Sequence, residues 1–106
     1  MLEQPSLSYI KELSGGDTEF ELKIITVIKK EFPLEKAIYF KNLKEKKYKE
    51  VAEIVHKLKH KISILDLEKS YEVAIEYENN LNSCNTILKE EFESVLLNMT
   101  NFLNTI

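Results

Sequence analysis

The chain has 106 residues, 43% hydrophobic and 31% charged, which is the balance of one globular domain over residues 1–106 rather than of a disordered segment. Two glycines and two prolines are too few for the turns of an all-β fold, and no apolar run approaches the roughly 20 residues of a membrane span. A net charge of −3 and the lack of arginine disfavour nucleic acid as a partner.

Two signals in the sequence concern the compartment. Residues 1–5 lack the basic and apolar segments of a signal peptide. The single cysteine, Cys84, cannot form an internal disulfide and fits a reducing environment. We therefore expect a cytoplasmic protein that is not attached to a membrane.

The first half of the chain predicts a short helix followed by a long one. The short helix is expected at Leu7 to Leu13 and ends at Gly15-Gly16; the long one starts with Asp17 or Thr18 as N-cap. Pro33 should kink or split the long helix, and the polar stretch 44–47 should end it. Its apolar positions approximate a helical stripe: Phe20, Ile24, Val27, Ile28, Phe32, Leu34, Ile38 and Leu43.

The second half predicts three more helices. The third should run from about Tyr48 to about Leu65, and the fourth should begin near Asp66 as N-cap and break at 82–85. The fourth is expected to turn inward Tyr71, Ala74, Ile75 and Leu81. The last has the clearest amphipathic pattern, formed by Leu88, Phe92, Val95, Leu96, Met99, Phe102 and Leu103. Short connections imply antiparallel neighbours, so the predicted fold is all-α: an up-down-up-down antiparallel four-helix bundle with a short extra N-terminal helix.

The third helix carries the candidate chemistry. At 100° per residue its apolar positions centre roughly 150° away from His56, which should therefore face solvent. Ala52 and Ser63, one turn before and two turns after, are small, while Lys59 and His60 share the face of the histidine. A neutral imidazole is a good nucleophile near neutral pH, and a nearby ammonium can neutralise a phosphoryl group attached to it.

A longer string around this histidine resembles the signature of histidine-containing phosphotransfer (HPt) domains. The string is Val55-His56-Lys57-Leu58-Lys59, continued by Ile62 and Leu65. The family pattern is a small or apolar residue, His, any residue, Leu, Lys, usually Gly, and then a Leu-Gly pair. The similarity covers about Leu7 to Glu78, and it also includes the Gly15-Gly16-Asp17 break, the Pro-containing helix and the Lys46-Lys47-Tyr48 start of the third helix.

This resemblance implies that His56 accepts a phosphoryl group from a receiver-domain aspartyl phosphate and passes it to another receiver, in a bacterial multistep phosphorelay. Lys59 would hold the phosphoryl oxygens. The partners would be response-regulator receiver domains and a hybrid histidine kinase. The receiver would supply Mg²⁺, so we expect a monomer with no cofactor or metal of its own. The sequence holds no Gly-rich nucleotide loop, so no kinase activity is expected.

The charge distribution suggests how a receiver would dock. From Lys41 to Lys61 there are eight lysines and three acids, whereas from Ile62 to the end there are two lysines and eight acids. This positive patch either steers an acidic partner or simply solvates a helix face. Docking should combine the lysine-rich ends of the third helix with exposed apolar residues on the second. The residues expected to border the docked receiver are Ala52, Glu53, Lys57 and Ser63.

Two positions depart from the family pattern and leave alternatives open. His60 stands where the family usually has Gly, and it would obstruct docking, hydrogen-bond the phosphoryl group or lie flat. Asp66 replaces the second Gly and is expected to act as an N-cap. The alternative function is a non-catalytic HPt-like adaptor that docks receivers without carrying phosphate. A metal site of His56, His60 and Glu53 would need further ligands that the sequence does not place nearby.

Overall fold

The computed structural model describes residues 3–106, which form five α-helices and no strand. The helices are α1 (Ser8–Ser14), α2 (Thr18–Lys44), α3 (Tyr48–Ile64), α4 (Glu68–Leu81) and α5 (Lys89–Leu103). The predicted all-α class is confirmed. Met1 and Leu2, part of the segment assessed for a signal peptide, lie outside the described residues. Across residues 3–106, no helix has the combined length and apolar character needed to cross a bilayer.

The corner between α1 and α2 follows from local chain chemistry. Gly15 ends α1 with φ of 58°, a left-handed conformation that glycine adopts without steric cost. Asp17 then caps α2, because its Oδ1 accepts a hydrogen bond from the Phe20 backbone N–H at 3.1 Å. Of the two predicted N-caps of α2, Asp17 and Thr18, the structure uses Asp17.

Only four of the eight apolar positions in the predicted α2 stripe contact the core. Ile28 and Phe32 are buried and Ile24 and Leu43 pack partly against the core. The four exposed members are Phe20, Val27, Leu34 and Ile38. Tyr39, absent from the predicted stripe, is fully buried. The physical reason is that α2 has two apolar faces, and only one of them meets the core.

Helix α2 continues through Pro33, so the predicted split does not occur. Proline removes one backbone donor, which normally weakens a helix at that turn. Contacts on both sides hold this turn in place. Phe32 is buried in the core, and the Lys36 ammonium donates to Thr100 Oγ1 of α5 at 2.9 Å.

Two tyrosines place their hydroxyls inside the bundle. The Tyr39 hydroxyl donates a hydrogen bond to Glu93 Oε2 at 3.0 Å. Because its one proton is used there, it accepts a hydrogen bond from the Tyr77 hydroxyl at 2.8 Å. Burial, with the neighbouring Tyr77 and Glu93, raises the pKa of Tyr39 far above its usual range. Both hydroxyls therefore stay neutral and paired, which avoids the cost of an unsatisfied buried polar group.

The start of α4 differs from the prediction. Asp66 does not cap this helix, because α4 begins at Glu68 and Leu67 occupies the N-cap position without a side-chain hydrogen bond. Asp66 instead takes φ of 64°, and its carboxylate accepts a hydrogen bond from the Tyr9 backbone N–H. Aspartate tolerates the left-handed region better than most non-glycine residues, which allows Asp66 to adopt this turn.

The inward face of α4 also differs at one position. Ala74 and Leu81 are buried as predicted and Tyr71 is partly buried, but Ile75 is 38% exposed. Tyr77 takes the inward place instead, because it lies three residues after Ala74 and four before Leu81 on one helical face.

The N-terminal segment supplies the cap that α4 lacks. The two carboxylate oxygens of Glu3 accept hydrogen bonds from the backbone N–H groups of Lys69 and Ser70, at 2.8 and 2.9 Å. Partial burial pushes the pKa of Glu3 upward. The two amide hydrogen bonds and the charge of Lys69 outweigh burial and lower the pKa below its ordinary value.

This capping predicts a pH-dependent contribution to stability. Because the folded pKa is lowered, the contribution is present above the unfolded value of 4.5 and disappears as pH falls through the folded pKa. Glu3→Gln should lower the free energy of unfolding by about 1 kcal/mol at neutral pH, because the amide keeps only one of the two acceptor oxygens and has no negative charge. Urea unfolding of both proteins at pH 7 and pH 3 measures this. An equal difference at the two pH values would contradict the assignment.

Candidate functional site

Helix α3 presents His56 to solvent beside α4. Its apolar residues Val51, Val55, Leu58 and Ile62 are fully buried, which fixes the rotation of the helix about its axis. The His56 side chain is 54% exposed, in agreement with the helical angle. Its Nδ1–H donates to Glu78 Oε2 of α4 at 3.2 Å. The imidazole is thus accessible and also oriented by a hydrogen bond.

Glu78 also holds Lys59. The Lys59 ammonium lies 3.0 Å from Glu78 Oε1, and its side chain is only 14% exposed because it leans over α4. The same ammonium is 5.9 Å from the centre of the Tyr71 ring. A single carboxylate therefore bridges the candidate nucleophile and the candidate phosphoryl ligand. We call His56, Lys59 and Glu78 the acceptor triad.

The contact with Glu78 determines which nitrogen of the neutral imidazole has a free lone pair. A carboxylate only accepts hydrogen bonds, so the nitrogen facing Glu78 must carry the proton. In the neutral ring the other nitrogen, Nε2, then holds the lone pair. The carboxylate would also stabilise the positive ring that forms when Nε2 becomes bonded to an electrophile.

A shallow depression beside the triad gathers most of the predicted site residues. It lies between α3 and α4 and is lined by Lys49, Ala52, Glu53, His56, Lys57, Glu78 and Asn82. Glu53 and Lys57 are exposed at its rim. Ala52 was expected on the exposed face, but it is only 5% exposed. Its methyl group contributes to the core, and it lines the depression beside His56 without standing out from it.

Ser63 and His60 lie apart from this depression. Ser63 is exposed and borders a separate hollow with Glu68, Tyr71 and Glu72. His60 is exposed and lines a groove between α2 and α3. Its ring centre is 5.1 Å from that of His56, and the two planes are nearly perpendicular, at 86°. The bulk of His60 therefore stands edge-on beside His56, on the side opposite to α4.

In the part of the chain that the structure describes, the fold brings no additional ligand to the alternative metal site of His56, His60 and Glu53. Among residues 3–106, no three side chains of His, Cys, Asp or Glu cluster in a way that would hold a metal ion. Cys84 is exposed in the connection between α4 and α5.

Glu78 was not among the site residues predicted from the sequence. It lies 22 residues after His56 and on a different helix, so no spacing within one helix links the two. A usable signal was the i, i+7 spacing of Tyr71 and Glu78, which puts both on the side of α4 that contacts the Lys59 side chain.

Comparison with models of known protein families, with curated proteins and with solved structures found no match in any of the three.

Proposed function

We propose that this chain is a histidine phosphotransfer protein of the HPt type in a bacterial multistep phosphorelay. It accepts a phosphoryl group on His56 from a receiver-domain aspartyl phosphate and passes it to another receiver. One observation carries the proposal: an exposed imidazole whose Nδ1–H is held by a carboxylate that also holds a lysine ammonium. A nucleophile, an orienting group and a cation for phosphoryl oxygens are the parts that such a carrier needs.

In the proposed step, the lone pair of His56 Nε2 attacks the phosphorus of the aspartyl phosphate. The new N–P bond forms as the P–O bond to the aspartyl carboxylate breaks, and the carboxylate leaves with the bonding pair. The imidazole keeps its Nδ1 proton and gains positive charge, which the Glu78 carboxylate at 3.2 Å stabilises. The receiver provides Mg²⁺ and the remaining groups. Transfer onward is the reverse of this step.

Lys59 is suited to moving between two anions. Within the described chain, no hydrogen-bond donor is directed at Glu78 Oε1, although the Lys59 ammonium lies 3.0 Å away as an ion pair. This contact is therefore one of charge without a well-aligned hydrogen bond. A phosphoryl group on Nε2 offers stronger acceptor oxygens, and the flexible lysine stem can turn toward them.

We also propose that α2 to α5 form an up-down-up-down antiparallel bundle, with α1 as the extra N-terminal helix. Three-residue connections at 45–47 and 65–67 support this, as does the packing of α3 against both α2 and α4. The carrier would work as a cytoplasmic monomer with receiver domains and a hybrid histidine kinase as partners.

The test is direct labelling of the histidine. The protein is incubated with receiver domains of the source organism that carry a radiolabelled aspartyl phosphate. We expect acid-labile, alkali-stable label on wild type, none on His56→Gln, and label retained on the matched control His60→Gln. Label that persists on His56→Gln would exclude His56 as the acceptor.

One observation favours a second candidate, the non-catalytic adaptor. The exposed His60 ring stands 5.1 Å from His56, where the HPt pattern usually has the smallest residue. Such bulk hinders the close approach that transfer requires more than it hinders binding. Receiver binding by wild type without any label on His56 would support the adaptor over the carrier.

A further inference from the structure

Helix α2 carries a row of large apolar residues that the rest of the described chain leaves largely exposed. Phe20 is 45% exposed, Val27 50%, Leu34 61% and Ile38 46%, and Ile24 is partly exposed beside them. Isolated exposed apolar residues are ordinary on a protein surface, whereas a contiguous row of large ones marks a contact surface. We call these five residues the α2 stripe.

The α2 stripe has the spacing of a helix-pairing seam. With Glu31 included, its positions follow one another in steps of four, three, four, three and four residues. This is the heptad repeat that lets two helices pack along their length. From Phe20 to Ile38 the seam is about 27 Å long, at 1.5 Å per residue. Such regular spacing indicates contact with another helix rather than with a flat loop or a small molecule.

The seam borders a groove that a second helix would fill. Ile24 and Val27 of the stripe form one wall, and His60 and Ile64 of α3 form the other. Glu31, in the middle of the seam, is held by the Lys61 ammonium at 3.0 Å. A single polar residue within a heptad seam fixes the register of the helix that packs on it.

The charges beside the stripe indicate the chemistry of the occupant. Lys23 lies one turn before Val27 and Lys30 one turn before Leu34, so both flank the seam. Neither lysine has an acidic partner among residues 3–106. Free ammonium groups along a seam favour a helix with acidic residues beside its own apolar row.

We propose that the α2 stripe binds an amphipathic helix of a partner protein whose apolar row is flanked by glutamate or aspartate. The stripe lies on α2 beyond His60, whereas His56 leans toward α4. It includes exposed apolar residues of α2 of the kind expected to take part in receiver docking, but helix binding by the stripe requires no phosphoryl transfer and is measured without it.

A second copy of this chain fits the stripe poorly. Antiparallel pairing that matches Phe20 with Ile38 is centred near residue 29, which brings Lys30 of both copies together. Parallel pairing in register would place the two Glu31 carboxylates in one layer. Like charges meet in either orientation, and such contacts are destabilising. A membrane is disfavoured too, since Glu31, 50% exposed, would carry its charge into the lipid.

Two synthetic helical peptides test the proposal. Both are about 25 residues long, with leucine at the seam positions; one has glutamate beside the seam and the other has lysine. Fluorescence anisotropy of the labelled peptides gives the dissociation constants. We expect the glutamate peptide to bind at least about tenfold more tightly than the lysine peptide.

Variants locate the binding surface. Val27→Asp should weaken binding of the glutamate peptide at least about tenfold, because it places a carboxylate in the seam. Leu22→Asp is the matched control, since Leu22 is 57% exposed on the same helix but outside the stripe, and it should bind as wild type does. His56→Gln should also bind normally, which keeps this result distinct from any failure of phosphotransfer.

Four results would overturn the proposal. The first is equal affinity for the two peptides, and the second is peptide binding that Val27→Asp leaves unchanged. The third is a wild-type dimer in analytical ultracentrifugation that Val27→Asp abolishes. The fourth is adsorption of the protein to vesicles of phosphatidylcholine and phosphatidylserine that Val27→Asp abolishes. The third would assign the stripe to self-association and the fourth to a membrane surface.

Discussion

Phosphoryl transfer to His56 should become about ten to a hundred times slower when Glu78 is replaced by alanine. A hydrogen bond to a charged group contributes about 1.5–3 kcal/mol, and each 1.4 kcal/mol changes a rate about tenfold. In Glu78→Ala the imidazole loses the acceptor at 3.2 Å that keeps the proton on Nδ1. Nε2 would then carry the proton in part of the molecules, and those molecules cannot attack.

Rates of label transfer from a phosphorylated receiver measure this effect, and imidazole ¹⁵N NMR reports the tautomer separately. We expect a wild-type ring protonated mainly at Nδ1 when neutral and a larger share of Nε2–H in Glu78→Ala. Glu78→Gln should fall between the two, because an amide oxygen still accepts from Nδ1–H but does not attract Lys59 as an anion. A purely structural role for Glu78 would leave the tautomer unchanged.

The matched control is Glu76→Ala. Glu76 lies on the same helix but is exposed and outside the acceptor triad. Its replacement should leave both the transfer rate and the tautomer unchanged. If both alanine variants behave like wild type, Glu78 has no positioning role.

The second large effect is expected at Phe92. This ring is fully buried, with its centre 5.4 Å from the Tyr39 ring and 5.1 Å from the Tyr77 ring. Phe92→Ala removes these aromatic contacts and leaves a cavity, which typically costs about 3–5 kcal/mol. A domain of this size has only about 5–15 kcal/mol of stability in total, so the variant should be close to unfolding.

Urea unfolding followed by circular dichroism measures the loss. Leu97→Ala on the same helix is the control, since Leu97 is 62% exposed and its replacement should change the free energy of unfolding by about 0.5 kcal/mol or less. Similar losses for the two variants would mean that α5 does not pack as described.

Local signals were sufficient for much of the fold. The five helices, the glycine corner and the Asp17 cap all depend on residues within about one or two helical turns of each other. The same holds for the exposure of His56, because α3 has a single apolar face and its rotation is therefore unambiguous. Where a helix has one apolar face, the periodicity determines which side chains reach solvent.

Only the tertiary structure decided the rest. Helix α2 has two apolar faces, and periodicity cannot tell which one the core will cover. Phe20 and Leu34 belong to the predicted apolar stripe but are exposed. The backbone role of Asp66 depends on the turn into α4 and on the Tyr9 amide. Glu78 meets His56 only because α3 and α4 pack together. The sequence thus determined the exposure of the candidate nucleophile, His56, and the helix that carries it. The packing of the helices decided which carboxylate contacts that histidine, because a contact across 22 residues has no local periodicity to reveal it.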